Sequence, residues 1–288
     1  MTSRLPVLQP AHSPSWHAEL HLGFARAGER TVLRENRHCG PLRVQKALYP
    51  EGDAVCQAIV LHPPSGIAGG DHLASSIGVG AGAHAQLTTP GAGKWYRSGG
   101  AEASQRIAFT VDEGAMLEWL PQESIVFDGA RARMETQVDL AADSRYIGWD
   151  ILCLGRAAAG ERFDKGRFDL FLRVDRDQRP IWIERGGFDG SDPMLSSPAG
   201  WAGATVCGTL LCTFPEIPAQ VSALLEACRQ TCPADGAQHG LSALPGVLIA
   251  RYLGDNSEAA RLWFVELWKI LRPACLGRPA VIPRIWNT

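Results

Sequence analysis

No stretch of the 288-residue chain approaches the roughly 20 consecutive apolar residues that a membrane-spanning helix needs. The start, Met1 to Trp16, lacks the charged segment followed by an apolar one that marks a secretory leader. A cytoplasmic location and no membrane partner are the expectation. Blocks of like charge are also missing: 28 basic and 30 acidic residues are scattered, and the formal net charge is -2. That leaves no electrostatic footprint for nucleic acid or anionic lipid. The eight cysteines, at positions 39, 56, 153, 207, 212, 228, 232 and 275, form no CxxC pair and lie mostly in apolar runs. Buried free thiols fit this better than a zinc or redox motif. No Ser/His/Asp order, Cys/His pair or fixed repeat length stands out.

What the chain does have is a 45% apolar composition, enough to bury a substantial core, and many short alternating runs. Ala18 to Phe24 alternates strictly between apolar and polar residues, the mark of a half-buried strand. Similar runs recur at 31–33, 42–48, 57–61, 84–88, 104–110, 116–120, 135–140, 146–153, 167–174, 180–184 and 205–212, separated by Gly, Asp and Pro turns. Helical spacing enters only late. Val221, Leu224, Leu225 and Cys228 share one face ahead of Pro233, and Leu262, Val265, Trp268 and Leu271 share another between Asn256 and Pro273. The expected fold is mostly β: one β-rich stacked-sheet domain over 1–288, with a loose segment at 1–16 and helices near 217–230 and 257–271.

Three segments carry more glycine and polar residues than core packing explains. His62-Pro63-Pro64-Ser65-Gly66-Ile67-Ala68-Gly69-Gly70-Asp71 reads either as a rigid turn with a capping Asp71 or as a device that aims that carboxylate. Thr88 to Ser98 is a Gly-rich loop ending in Lys94, Trp95, Tyr96 and Arg97. It is not a phosphate-binding Walker loop, which would need Gly at Thr88 and Ser or Thr at Trp95. Trp95, Tyr96 and Arg97 are residue types favoured at protein interfaces. The third segment, Leu117 to Ala130, is continued by Gly148 to Arg156, and places acids inside apolar strands. A buried, unpartnered carboxylate costs several kcal/mol, so Asp150 and Glu184 need a cation, hydrogen bonds or water, unless alternation turns them outward. His17, Glu19 and His21 would project from one strand face, a spacing that suits a metal and equally suits a solvated polar face.

At these positions the chain resembles the UreD (UreH) family of urease accessory proteins. The likeness runs through 40–46, 48–51, the His62 to Asp71 turn, the Pro90 to Ser98 loop, 117–130, 149–156 with Gly160-Glu161, and the closing 271–273 and 283–286. It departs at Ser65, Ala68, Trp95 and Gly93; at Gly93 the family usually carries a hydroxyl residue that could help carry a hydrated ion. The resemblance implies a non-enzymatic maturation factor with a β-rich superhelical fold. It would bind apo-urease and, through UreF, connect with the GTPase UreG that delivers nickel. No tightly bound cofactor is implied, only transient Ni2+.

Weak oxygen-ligand sites in succession would let a divalent ion enter and leave, where thiolate or imidazole clusters would hold it. Asp71, Asp150 and Glu184 are the first acids expected on such a route, with Glu123, Asp128 and Glu161 next. Trp95, Tyr96, Arg97, Arg272, Arg284 and Trp286 are the expected docking residues. Two alternatives stand beside this reading: a metal-dependent all-β hydrolase using His62, Asp71 and His72, and a docking scaffold that never touches nickel.

Overall fold

A computed structural model describes residues 15–214 and 221–287. Two sheets face each other. The first runs in spatial order Arg179–Asp189, Arg167–Arg176, Arg131–Leu140, Ala103–Val111, His72–Val79, His17–Ala27 and Arg30–Cys39. The second runs Gln238–Leu244, Val247–Gly254, Val206–Thr213, Arg145–Leu154, Met116–Leu120, His84–Thr88, Val55–Leu61 and Arg43–Leu48. From His72 to Arg176 the chain alternates between the sheets, and successive visits to each pair in parallel. The result is a superhelical β stack. His72 lies beside Ser104, Ser104 beside Arg133 and Arg133 beside Asp169. These steps are unequal, which is why no repeat length shows in the sequence.

The first sheet buries one face only. Along His17–Ala27 the residues Ala18, Leu20, Leu22 and Phe24 point into the stack and the alternate residues point out. The second sheet is covered on both faces, so its central strands read as nearly continuous apolar runs. On Arg145–Leu154, Tyr146 and Leu152 face the first sheet, while Ile147, Trp149 and Ile151 face a helix on the far side. That helix, α2 (Ser257–Leu276), contributes Trp263, Phe264, Leu267, Trp268 and Leu271 to the second core. It begins at Asn256, whose side chain accepts the Ala259 N–H at 3.1 Å, as an N-cap residue does.

Pro273 does not end this helix, contrary to the boundary expected near 271. Its ring removes the N–H that would bond Lys269 O, a single loss that the last turn of the helix absorbs, and the chain turns only at Gly277, in the left-handed region with its N–H bonded to Pro273 O. The other helix is α1 (Val221–Arg229), and residues 217–220 of the expected span lie outside the described residues. Trp16, within the segment expected to be loose, is pinned by its N–H to Asp71 Oδ1 at 2.9 Å; residues 1–14 are not described. The strand His72–Val79 carries no clear sequence signal because Ala74, Ser75, Ser76 and Gly78 blur its alternation. Val247–Gly254, an almost unbroken apolar run, and its partner Gln238–Leu244 also escape that reading.

Gly166 shows how tightly the coils stack. Its φ is +100°, and a Cβ there would lie 2.2 Å from the Ala130 carbonyl oxygen. Gly166→Ala should therefore cost about 1–3 kcal/mol or more, visible as a lowered urea midpoint at unchanged slope. An unchanged midpoint would mean that the corner relaxes freely.

Candidate functional site

The three Gly-rich and polar segments come together at one corner of the stack. Short parallel strands Gly66–Ile67, Gly93–Trp95 and Ser124–Val126 lie side by side and join the end of Arg145–Leu154. Close packing explains part of the glycine content: a Cβ on Gly66 would stand 2.2 Å from the Tyr96 ring. The ladder ends against the gap between the two sheets, and that gap is not completely filled.

Two cavities occupy it. One, of about 190 Å³, is walled by His62, Thr89, Gly93, Gln122, Ser124 and Asp150 among others. The second, of about 340 Å³, is walled by Asp150, Glu184, Thr209, Cys207 and Arg251, with apolar Leu170 and Phe188. Asp150 and Met134 belong to both walls. Asp150 thus sits where the two spaces meet, projecting from the second sheet's inner face as alternation along Arg145–Leu154 requires.

Burial, reinforced by the negative charge of Glu184, pushes the Asp150 carboxyl up to about 7. Glu184 is reached by Arg251, whose Nη1 donates to Oε1 at 2.9 Å, while Oε2 is enclosed without a hydrogen-bond partner. Arg251 also donates to Thr209 Oγ1 at 3.3 Å. The Cys207 thiol nearby is pushed up to about 11, first by burial and then by Glu184, so it stays protonated. A half-buried acid pair beside water-sized space, with one carboxyl close to neutral, has oxygen atoms to offer but only weakly.

The matched family model, described as the UreD urease accessory protein, spans residues 17–287. The chain is 89% identical over its full length to the urease accessory protein UreD of Dechloromonas aromatica (strain RCB), covering all of that protein. It is 54% identical to the UreD of Azoarcus sp. (strain BH72), over 96% of each chain. The UreD of Pseudomonas fluorescens (strain Pf-5) is 53% identical over 99% of each. The chain belongs to the UreD family of urease accessory proteins. It is accordingly a urease maturation factor rather than an enzyme.

For this UreD-family chain the structure separates the acids singled out in the sequence. Asp150 and Glu184 share a cavity, but Asp71 lines neither cavity. Its Oδ1 and Oδ2 accept the N–H groups of Trp16 and Ala68, both at 2.9 Å, which is the capping role. Asp128 Oδ1 accepts the N–H groups of Asp164 and Lys165 at 3.0 and 2.8 Å, and Glu161 is bound by Arg156. These two acids fasten loops. Glu123 is partly buried near Cys153, whose thiol is pushed up to about 12 by burial and then by that carboxylate.

The docking expectation fails at two residues and weakens at a third. Trp95 is buried, edge-on to Phe168. Arg272 is fully buried and holds Glu118 and Glu51 together: Nη1 donates to Glu51 Oε2 at 2.7 Å and Nη2 to Glu118 Oε1 at 2.9 Å. Helical geometry turned it inward at a position where sequence showed only a basic residue near a terminus. Trp286 is half-buried between Trp149 and Trp268, and its Nε1 donates to Thr88 Oγ1 at 2.8 Å. Arg97 and Arg284 are exposed, and Tyr96 is half-exposed against Phe127.

Sequence reading missed Glu118, Glu51, Arg251 and Ser124. The first two are paired across 154 and 221 positions with Arg272, a link that no local pattern announces. Ser124 lies opposite Gly93 in the ladder, on the same cavity wall. The hydrolase alternative finds no support. Among the described residues no group of three or more His, Cys, Asp or Glu side chains is arranged to hold a metal, His62, Asp71 and His72 included. No described helix is long and apolar enough to cross a membrane.

Proposed function

We propose that this chain binds apo-urease together with UreF, and through UreF the GTPase UreG, and that nickel moves to urease through the space between the two sheets. The observation that supports this most directly is the position of Asp150 on the walls of both internal cavities, with Glu184 beside it in the second. Asp150 would otherwise be an unexplained cost in an apolar β stack, and Glu184 keeps one oxygen free of its Arg251 partner.

The arrangement suits passage rather than storage. Near neutral pH the Asp150 carboxyl is close to half-protonated, so an arriving divalent ion exchanges with a proton and a departing one is replaced by it. Arg251 holds one oxygen of Glu184 and leaves the other unengaged. Thr209, paired with Asp150 across the sheet, and Ser124 add hydroxyls for the ion's water shell. Ser124 thereby serves in place of the hydroxyl missing at Gly93. Keeping the Cys207 thiol protonated removes the soft ligand that would trap the ion.

The test is co-expression of urease with UreF, UreG and either the wild-type chain or Glu184→Ala, reading urease nickel content and pull-down of the complex together. The expected result is intact assembly with a clear loss of bound nickel. Full nickel loading by the variant would leave the chain as a docking scaffold only.

A further inference from the structure

The outer face of the first sheet carries a concave, arginine-rich patch that neither the core nor the interior passage uses. Arg185, Phe171, Glu135 and Arg106 stand side by side in one row across Arg179–Asp189, Arg167–Arg176, Arg131–Leu140 and Ala103–Val111. The adjacent row places Asp169 beside Arg133. Together with Arg167 these side chains wall a groove of about 500 Å³. Four arginines face two acids there, in a chain whose formal net charge is -2.

Both acids in the groove are already engaged. Arg133 Nε donates to Glu135 Oε1 at 2.6 Å, and Arg167 Nη2 and Nε donate to Asp169 Oδ1 and Oδ2 at 2.7 and 2.8 Å. These pairs lie within one strand, two residues apart on the same face, so they neutralise the middle of the groove and leave its flanks positive. At one flank exposed Arg106 makes no hydrogen bond or ion pair among the described residues, although Glu135 is its register neighbour. At the other, exposed Arg185 lies over the Phe171 ring, 5.2 Å from its centroid, and has no carboxylate partner among the described residues. Stacking of this kind holds the guanidinium plane in place and leaves its N–H edges free to donate. Ile183, two residues from Arg185 on the same face, is 51% exposed and extends the apolar floor that Phe171 begins.

We infer that this groove is a docking surface for an extended, acidic segment of a partner protein, with a carboxylate at each end and an apolar residue between them. Arg106 and Arg185 are three strand spacings apart, roughly 14 Å, and an extended chain covers that distance in about four residues. The segment therefore crosses the strands with its acids at positions i and i+4. Each guanidinium takes a carboxylate through two parallel N–H···O bonds, which fixes register on a face that shape alone would leave ambiguous. The middle residue meets Phe171, and the Glu135 carboxylate disfavours a third acid there. Which protein supplies the segment rests on the maturation reading; the preference of the groove for carboxylates at this spacing does not.

A capped, fluorescently labelled peptide, Glu-Ala-Leu-Ala-Glu, would be titrated with the full-length chain and followed by anisotropy. Saturable binding is expected, weakened at least about fivefold in Arg106→Ala/Arg185→Ala and again when salt is raised from about 20 to about 150 mM. Arg34→Ala/Arg37→Ala removes the same charge from exposed positions on the opposite edge strand and should bind like the wild type. Glu-Glu-Leu-Ala-Ala, identical in composition but with adjacent acids, should bind at least about threefold more weakly, and Lys-Ala-Leu-Ala-Lys should not bind. Both groove arginines are exposed, and an unchanged thermal midpoint confirms that the variant folds; Arg106→Gln/Arg185→Gln gives the same reading with more of each side chain retained. No saturable binding to the wild type, equal binding by the folded double variant, or equal binding of the two glutamate peptides overturns the inference. Tighter binding of a single-stranded oligonucleotide of equal charge also overturns it. None of these outcomes bears on urease nickel content under co-expression, so the groove and the passage fail separately.

Discussion

Arg272→Ala should be the most destabilising single change in the chain, at about 3–5 kcal/mol. The guanidinium and the Glu118 carboxylate are both 0% exposed, and neither can reach water when its partner is removed. Burial alone would raise the Glu118 carboxyl. The His84 hydrogen bond at 2.8 Å and the Arg272 charge outweigh it and hold the group below the ordinary carboxylate range. Trp268 Nε1 adds a bond at 2.7 Å, and Glu51 completes the network from the other end of the chain. Removing Arg272 leaves the Glu51 and Glu118 carboxylates without their shared cation, and α2 keeps its Trp268 bond to Glu118 but loses its charged link to the Met116–Leu120 strand. The measurement is a urea or thermal unfolding curve. Combining Arg272→Met with Glu118→Gln should recover part of the loss, because a neutral pair no longer strands a charge. A cost for Arg272→Ala below about 1 kcal/mol would mean that the cluster is hydrated and not a clamp.

Asp150→Asn should make the protein more stable at neutral pH and worse at its task. The folded chain keeps the Asp150 proton up to about pH 7, whereas an unfolded aspartate releases it near pH 3.9. Between those values the folded state binds more protons, so stability falls as pH rises through that window and is level above it. Asparagine removes the dependence. Near pH 4 the variant should match the wild type, and above pH 7 it should exceed it by at most about 4 kcal/mol. Under the proposed passage, the same substitution removes a negative donor from the junction of the two cavities. Nickel recovered in co-expressed urease should drop at least about tenfold. A more stable chain that delivers less nickel cannot be explained by damaged folding. Equal pH dependence in both proteins would mean that the Asp150 carboxyl is solvated, and unimpaired delivery would remove it from the route.

Much of the local structure is legible in the sequence because it follows from nearest neighbours. Strict alternation at Ala18 to Phe24 marks a strand with one wet face, and that strand is found. The run Met116 to Leu120 is found with the same limits. Asn256 marks the start of α2 because an N-cap acts within three residues. Where small residues such as Ala74, Ser75 and Ser76 blur the alternation, the strand is invisible until its neighbours are known. For the candidate site, Asp150 and Glu184 were legible as acids in apolar surroundings. The capping reading of Asp71 was open from its Pro- and Gly-rich turn, whereas for Asp128 and Glu161 the sequence offered no way to see that backbone N–H groups and an arginine already occupied their oxygens.

The sequence by itself determined the β character, the late position of the helices and the family, because alternation, capping and ordered motifs are properties of short segments and their spacing. Only the tertiary structure decided which charged residue faces a void and which is locked in a pair. Glu118 meets Arg272 from 154 positions away, and Glu184 meets Arg251 from 67. A buried charge takes its character from whatever lies within a few ångströms of it, and in a coiled stack of sheets those neighbours come from different turns of the chain.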